Sequence, residues 1–197
     1  SARADGNDRL DILSRFPIVG KEVIHYPSST NHSVAFRLKM KNDTVTVIIN
    51  HFQSIGFTQE EKKQFKTMVK GDIKREQARR ESRRIVHRLA SAAAIRAPQV
   101  DAVVRYIDSR PNEKFILTGD FNDSPLSYAH RTLAHRLTDC YVATANGPGI
   151  SYHYNGFFVR IDNIMCSASF TPYACRVDDT IKASDHYPII CWLKPND

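Results

Sequence analysis

The sequence lacks any run of about 18 apolar residues, the length a membrane-crossing helix requires, so no segment reads as such a span. It also lacks a secretory signal pattern at its start. Ser1-Ala2-Arg3-Ala4-Asp5-Gly6 is no initiator sequence, and the expectation is that an upstream piece has been removed, with any address signal in it. The compartment therefore stays open, the cell envelope and secretion included. The four cysteines, Cys140, Cys166, Cys175 and Cys191, show no C-x-x-C spacing. That argues against a zinc site and, at this chain length, against a disulfide framework. Cys191, inside Ile189-Ile190-Cys191-Trp192-Leu193, reads as a small core residue. No G-x-S-x-G elbow occurs, which removes that class of serine hydrolase. There is no short-period repeat and no low-complexity tract.

What the chain has in excess is positive charge. Lys and Arg number 28 against 21 acidic residues, a net charge of +7. Such a balance favours an anionic partner (nucleic acid, phospholipid or a phosphorylated metabolite), although many basic proteins simply stay soluble this way. With 197 residues, 42% of them hydrophobic, the chain can bury a full core and reads as one domain, residues 1–197.

Taken in order, residues 10–19 suggest a short strand leaving on Pro17, and Lys21 to Tyr26 a second. Ser33 to Met40 alternates, with Val34, Phe36, Leu38 and Met40 on one face and Arg37 and Lys39 on the other, so a half-exposed strand is expected. Asn42-Asp43 signals a turn, and the β-branched run Thr44 to Ile49 a central strand, together an antiparallel hairpin. Thr58-Gln59-Glu60-Glu61 is a capping-box pattern, followed at helical spacing by Phe65, Met68 and Val69. Gly71-Asp72 interrupts. From Ile73 to about Ala97 come Lys74, Arg75, Arg79, Arg80, Arg83, Arg84, Arg88 and Arg96. This is either a helix that tracks phosphates or a solvated face with Ile85, Val86 and Leu89 packed inward. Pro98 is expected to kink or restart the helix, after which Val100, Val103, Val104 and Ile107 let residues 99–109 cover a sheet. Lys114 to Thr118 is the next strand and Tyr128 to Leu137 a further helix. Ser151 to Tyr154, Phe157 to Met165 and Tyr187 to Leu193 read as strands. Helices alternating with buried strands, plus a hairpin, make an α/β chain with a mixed sheet.

Four stretches carry the chemistry. Gly119-Asp120-Phe121-Asn122-Asp123 ends the apolar run Phe115 to Thr118. The glycine lets the backbone turn, and the period of two sends Asp120 and Asn122 to one side, where a carboxylate and an amide suit Mg²⁺ or an oriented water. Asp and Asn after a strand are also ordinary turn formers. The other three are Ile49-Asn50-His51 after a buried strand, Arg160-Ile161-Asp162-Asn163-Ile164, and Ser184-Asp185-His186 before the last strand. His51 alone is as well explained as a core histidine, and Ser-Asp-His as a cap or turn. Asp162 in an apolar strand is harder to explain without function, because a buried carboxylate needs a partner and His186 is a natural one.

In this order and spacing the four stretches resemble the endonuclease/exonuclease/phosphatase superfamily, the DNase I-like group of nucleases, apurinic endonucleases, sphingomyelinases and inositol phosphatases. Ile12-Leu13-Ser14-Arg15-Phe16-Pro17 and Gly149-Ile150-Ser151-Tyr152 add to the likeness, which runs from about residue 10 onward. The resemblance implies a four-layer α/β/β/α sandwich of mixed sheets, here N-terminally incomplete. Residues 1–197 would be roughly the C-terminal two-thirds of the family domain, without the upstream asparagine and metal-holding glutamate of relatives. Asn163 departs too, standing where an aromatic residue is common.

It further implies a Mg²⁺-dependent phosphodiesterase, with Mn²⁺ as a substitute metal. His186 would be the general base and Asp162 its orienter. Asp120 and Asn122 would position the nucleophile and stabilise the pentavalent phosphorus, and Asp185, with Asp120 and Asn122, would face the metal. His51 would bond the scissile phosphate or the leaving group. Charge tilts the substrate toward nucleic acid, with an anionic lipid or a sugar phosphate as the alternative and a catalytically silent binding module as a third reading. No obligate protein partner is evident.

Overall fold

A computed structural model of the chain describes residues 2–3, 10–26, 31–41, 43–69, 75–154 and 156–196. Ser1, Ala4 to Gly6, Asn42, Gly71, Asp72, Ile73 and Lys74, on which parts of the sequence reading rest, lie outside these residues, as do the side chains of Phe65, Met68, Val69 and Arg75. The elements are β1 (Ala2–Arg3), β2 (Asp11–Ile12), β3 (Ile18–His25), β4 (His32–Met40), β5 (Asp43–His51), α1 (Gln59–Val69), α2 (Arg75–Asp108), β6 (Lys114–Asp120), α3 (Tyr128–Ala134), β7 (Thr138–Asp139), α4 (Cys140–Thr144), β8 (Asp162–Cys166), β9 (Phe170–Val177) and β10 (Ile189–Pro195).

Six strands form one mixed sheet in the order β3-β4-β5-β6-β8-β7, in which β5 and β6 run parallel and the other neighbours antiparallel. The β-branched run that suggested a central strand is indeed central: β5 lies between β4 and β6. A parallel pair needs a crossover, and here α1 and α2 supply it. One face of the sheet is covered by Val100, Val103, Val104 and Ile107 of α2, packed with Ala35, Ile48, Leu117 and Leu133. On the other face Leu38, Val45 and Val47 meet Phe170 and Cys175 of the antiparallel pair β9–β10, together with Cys140 and Cys166. Helix, sheet and second sheet thus stack as layers around two apolar cores, an α/β fold. Among the described residues no helix is long and apolar enough to cross a membrane.

Several expectations need correction. β4 is half-exposed only at its end, because Ser33 and Ala35 on the supposed outer face are buried, and the Ser33 hydroxyl is hydrogen-bonded to Tyr26 and Asn50. Pro98 does not restart the helix, since α2 runs through it for 34 residues. Val86 and Leu89 do not pack inward; they are 63% and 40% exposed, because the first half of α2 meets the body on a different face, through Ala92 and Arg96. Ser151 to Tyr154 and Phe157 to Ile161 form isolated bridges, Tyr152 with Val159 and with His186, in place of full strands. The amides of Ile161 and Asp162 donate instead to the Ser151 hydroxyl, at 3.1 and 3.0 Å. β9 was not anticipated. Pro172 and the left-handed Ala174 (φ 50°) interrupt its pattern.

Candidate active site

The ends of three neighbouring strands build the site. Register pairs His51 of β5 with Asp120 of β6, and Asp120 with Asp162 of β8, so three side chains from distant parts of the sequence stand in one row. The row behind is Asn50, Gly119 and Asn163. Gly119 has φ 137°, and a Cβ there would lie 2.0 Å from the Asn50 carbonyl oxygen, so only glycine lets β6 lie this close to β5. Asn163 is buried; its amide nitrogen donates to Ile161 O at 2.9 Å, and its Oδ1 has no hydrogen-bond partner among the described residues.

The turn after β6 is held from several sides. Phe121 is fully buried and its N–H donates to Ile161 O at 2.8 Å. Asn122 takes the left-handed conformation (φ 51°), which brings its N–H to Asp120 Oδ1 at 2.7 Å and its side-chain amide to Phe52 O at 3.0 Å. Asp123 is gripped by Arg96, whose Nε and Nη2 approach Oδ2 at 2.9 and 2.8 Å, while Nη1 donates to Gln53 O at 2.9 Å. Gln99, one turn on, accepts from the Gln53 N–H at 2.8 Å. One buried arginine therefore ties the loop after β5 to the loop after β6.

His186 arrives from the segment before β10. Its Nδ1 lies 2.8 Å from Asp162 Oδ2, and the Tyr152 ring stands edge-on to it at 5.0 Å. With the carboxylate accepting from Nδ1–H, Nε2 is left as the basic nitrogen. Burial opposes charge on His186, but the hydrogen bond and charge of Asp162, then Asp120 and Asp185, raise its pKa above the ordinary value. Burial and the neighbouring Asp162 push Asp120 up to about 6. Two carboxylates that resist sharing negative charge, beside an imidazole, favour a cation.

Donor atoms of Asp120, Asp162 and His186 lie within 4.8 Å of one another, a cluster that could hold a metal ion. Oxygen donors with an imidazole fit a hard or borderline divalent ion. A cavity of about 280 Å³ opens over the row, lined by His51, Asp120, Asn122, Asp185 and His186 at one end. Asp162 sits behind His186. Asp185 is exposed, bonded to the Ser184 hydroxyl at 3.2 Å, and it and Asn122 stand outside the three-residue cluster. All six residues singled out in the sequence thus converge. Sequence reading missed Arg96, which it counted among the surface charges, and Lys62, which lines the same cavity. Arg96 had a signal: Ala92, Arg96, Gln99 and Val103 share a helical face, so this arginine is on the buried side.

The endonuclease/exonuclease/phosphatase family model matches residues 12–186. Among solved structures, the chain is similar to a conserved protein of unknown function from Enterococcus faecalis V583 (TM-score 0.64, 13% identity, covering 91% of this chain and 67% of that one). It is also similar to the catalytic domain of human nocturnin with bound sulfate (0.56, 14%, 92% and 61%). A third is sphingomyelinase C from Streptomyces griseocarneus (0.56, 17%, 90% and 65%). The chain thus spans 61% to 67% of the length of these structures. A search of curated proteins finds no match in sequence.

Proposed function

Because the chain belongs to the endonuclease/exonuclease/phosphatase family, whose members are generally hydrolases of phosphoester bonds, we propose that it is a Mg²⁺-dependent phosphodiesterase acting on nucleic acid. The observation that carries this reading is the Asp162–His186 pair set against Asp120 at the rim of the sheet. Asp162 holds the Nδ1 proton and fixes the ring, so Nε2 takes a proton from a water placed in line with the leaving oxygen. Asp120 and Asn122, fixed by their mutual hydrogen bond and by the Arg96-held turn, orient that water and the phosphoryl group. His51, at the far end of the row, hydrogen-bonds the phosphate or the leaving oxygen. Asp120, with Asn122 and Asp185 lining the same cavity, are the residues that would hold a divalent ion, which when bound supplies neutralisation of phosphoryl charge, while Asp162 and His186 stay free for proton transfer.

The net charge of +7 is what favours nucleic acid. The test is nicking of supercoiled plasmid in Mg²⁺, with His186→Ala and a chelator as blanks. Nicking abolished by both supports a nuclease. A folded protein that leaves DNA intact but hydrolyses phosphomonoesters is a phosphatase. One that does neither, and binds no Mg²⁺ by calorimetry, is a silent binding module.

A further inference from the structure

The cavity over the catalytic row has a second end that catalysis does not use. It is lined by Phe57, Lys62, Tyr152 and Phe157. Phe57 and Phe157 stack at 5.4 Å between centroids with planes 27° apart. Lys62 Nζ donates to Tyr152 Oη at 2.9 Å and lies over the rings of Tyr152 and Tyr154, at 5.5 and 5.2 Å. Tyr152 is the ring that stands against His186, so the ammonium is one ring away from the base. Among the described residues Lys62 forms no salt bridge, although Glu61 beside it is paired with Arg84 and Arg88, at 2.9 Å each.

These contacts fix where the ammonium sits. The Thr58 N–H donates to Glu61 Oε2 at 2.8 Å and the Glu61 N–H to Thr58 Oγ1 at 3.2 Å, the reciprocal cap expected at the start of α1. Arg88 also donates to Gly56 O at 3.0 Å, tying the loop before α1 to α2. A half-buried ammonium held by aromatic faces and left without a carboxylate is a site for an anion. The scissile phosphate belongs at the other end, over Asp120 and His186, so this anion is a second one. The stacked pair Phe57–Phe157 in the same cavity offers a flat face against which one further ring can stack. A cavity of about 280 Å³ is at the small end of ligand sites, which run from ~300 Å³ upward, so it holds about one nucleotide unit of a longer strand at a time.

Resting on the phosphodiesterase reading, we propose that this wall is a nucleotide subsite. Lys62 binds the phosphate neighbouring the scissile one, and Phe57 with Phe157 receives the base. The same charge disfavours a choline-headed diester, whose quaternary ammonium would meet Lys62 as a like charge.

The test uses four diesters in Mg²⁺: a thymidine dinucleotide, the same dinucleotide with a phosphate at each end, glycerophosphoglycerol, which has neither a ring nor a second phosphate, and glycerophosphocholine. Lys62→Met should raise KM for the end-phosphorylated dinucleotide about tenfold more than for the plain one, the worth of one charge-assisted hydrogen bond. Lys62→Arg should keep most of the preference. Phe157→Ala should raise KM for the plain dinucleotide about tenfold more than for glycerophosphoglycerol. Equal losses on all substrates would make Lys62 and Phe157 anchors of α1 and nothing more, and would overturn the subsite. A wild-type preference for glycerophosphocholine, increased further by a Lys62→Glu change, would overturn it in favour of lipid headgroups. If none of the diesters is cleaved, the phosphodiesterase reading fails by itself. Calorimetry of the end-phosphorylated dinucleotide then decides the subsite: binding that Lys62→Met weakens about tenfold supports it, and absence of binding removes it.

Discussion

Among the described residues, two aspartate–histidine pairs lie at almost the same distance, in opposite surroundings. His130 Nε2 lies 2.7 Å from Asp139 Oδ2, and His186 Nδ1 lies 2.8 Å from Asp162 Oδ2. Asp139 also receives both arms of Arg160, at 3.1 and 2.8 Å, and caps α4 by accepting from the N–H groups of Tyr141 and Val142. Burial disfavours its charge, but His130, Arg160 and the helix N-terminus outweigh burial and hold the carboxyl well below the ordinary range. Among the described residues Asp162 has no arginine partner; its neighbour across the strands is another carboxylate, Asp120, pushed up to about 6. One pair is neutralised inside the core, and the other carries surplus negative charge beside a cavity. The distance between Asp and His says nothing about role, and the third partner decides it.

The largest expected effect exchanges the two histidines. His186→Ala should cut turnover by about 10²–10⁴ with the melting temperature unchanged. His130→Ala should do the reverse, lowering the melting temperature while each folded molecule keeps its rate. If both variants fall in the same property, the contrast between the pairs is wrong. Asp162→Asn sharpens the same point: acting through His186, it should be little worse in the double variant than alone.

Next comes Asp139→Asn, which leaves Arg160, 4% exposed, without its counter-charge. Breaking a buried pair by one partner costs about 3–5 kcal/mol, measurable by urea unfolding. The pH dependence follows in sign. Asp139 is held below its ordinary value of 3.8 in the folded chain, so its stabilisation is complete above that value. It is lost as pH falls through the ordinary carboxylate range toward the depressed one. Melting curves between neutral and strongly acid pH should show wild type losing stability there, and the Asn variant, already lower, losing less. Parallel curves would mean that Asp139 is not the group that titrates.

The strands and the chemistry were legible in the sequence for different reasons. β5 and β6 announced themselves as β-branched and apolar runs, and Gly119 to Asn122 by a glycine followed by oxygen donors. The row His51–Asp120–Asp162 could not be read so directly, because register between strands is set by pairings between residues far apart in sequence, His51 with Asp120 and Asp120 with Asp162. The Asp139–Arg160–His130 network is invisible for the same reason: each residue looks ordinary, and only the fold brings them together. Lys62 was one lysine in a charged helix until Tyr152 and Tyr154 were found beneath it. β9 failed on local grounds, with Pro172 and Ala174 hiding its pattern.

The smallest effect separates two arginines of α2 that composition treats alike. Arg96 is 2% exposed in its side chain and holds Asp123 and the Gln53 carbonyl, so Arg96→Met should cost about 3 kcal/mol and loosen the Asn122 turn. Arg84 is 55% exposed and shares Glu61 with Arg88, which keeps its own bond to that carboxylate. Solvent screens the Arg84 pair, and holding a long side chain in one rotamer offsets much of what remains. Arg84→Ala should therefore shift stability by less than about 0.5 kcal/mol, with the residual effect vanishing in high salt. Urea unfolding of the two variants side by side measures both. A loss at Arg84 approaching that at Arg96 would show that Glu61 depends on both of its partners, and that the wall carrying Lys62 is held as firmly as the catalytic turn itself.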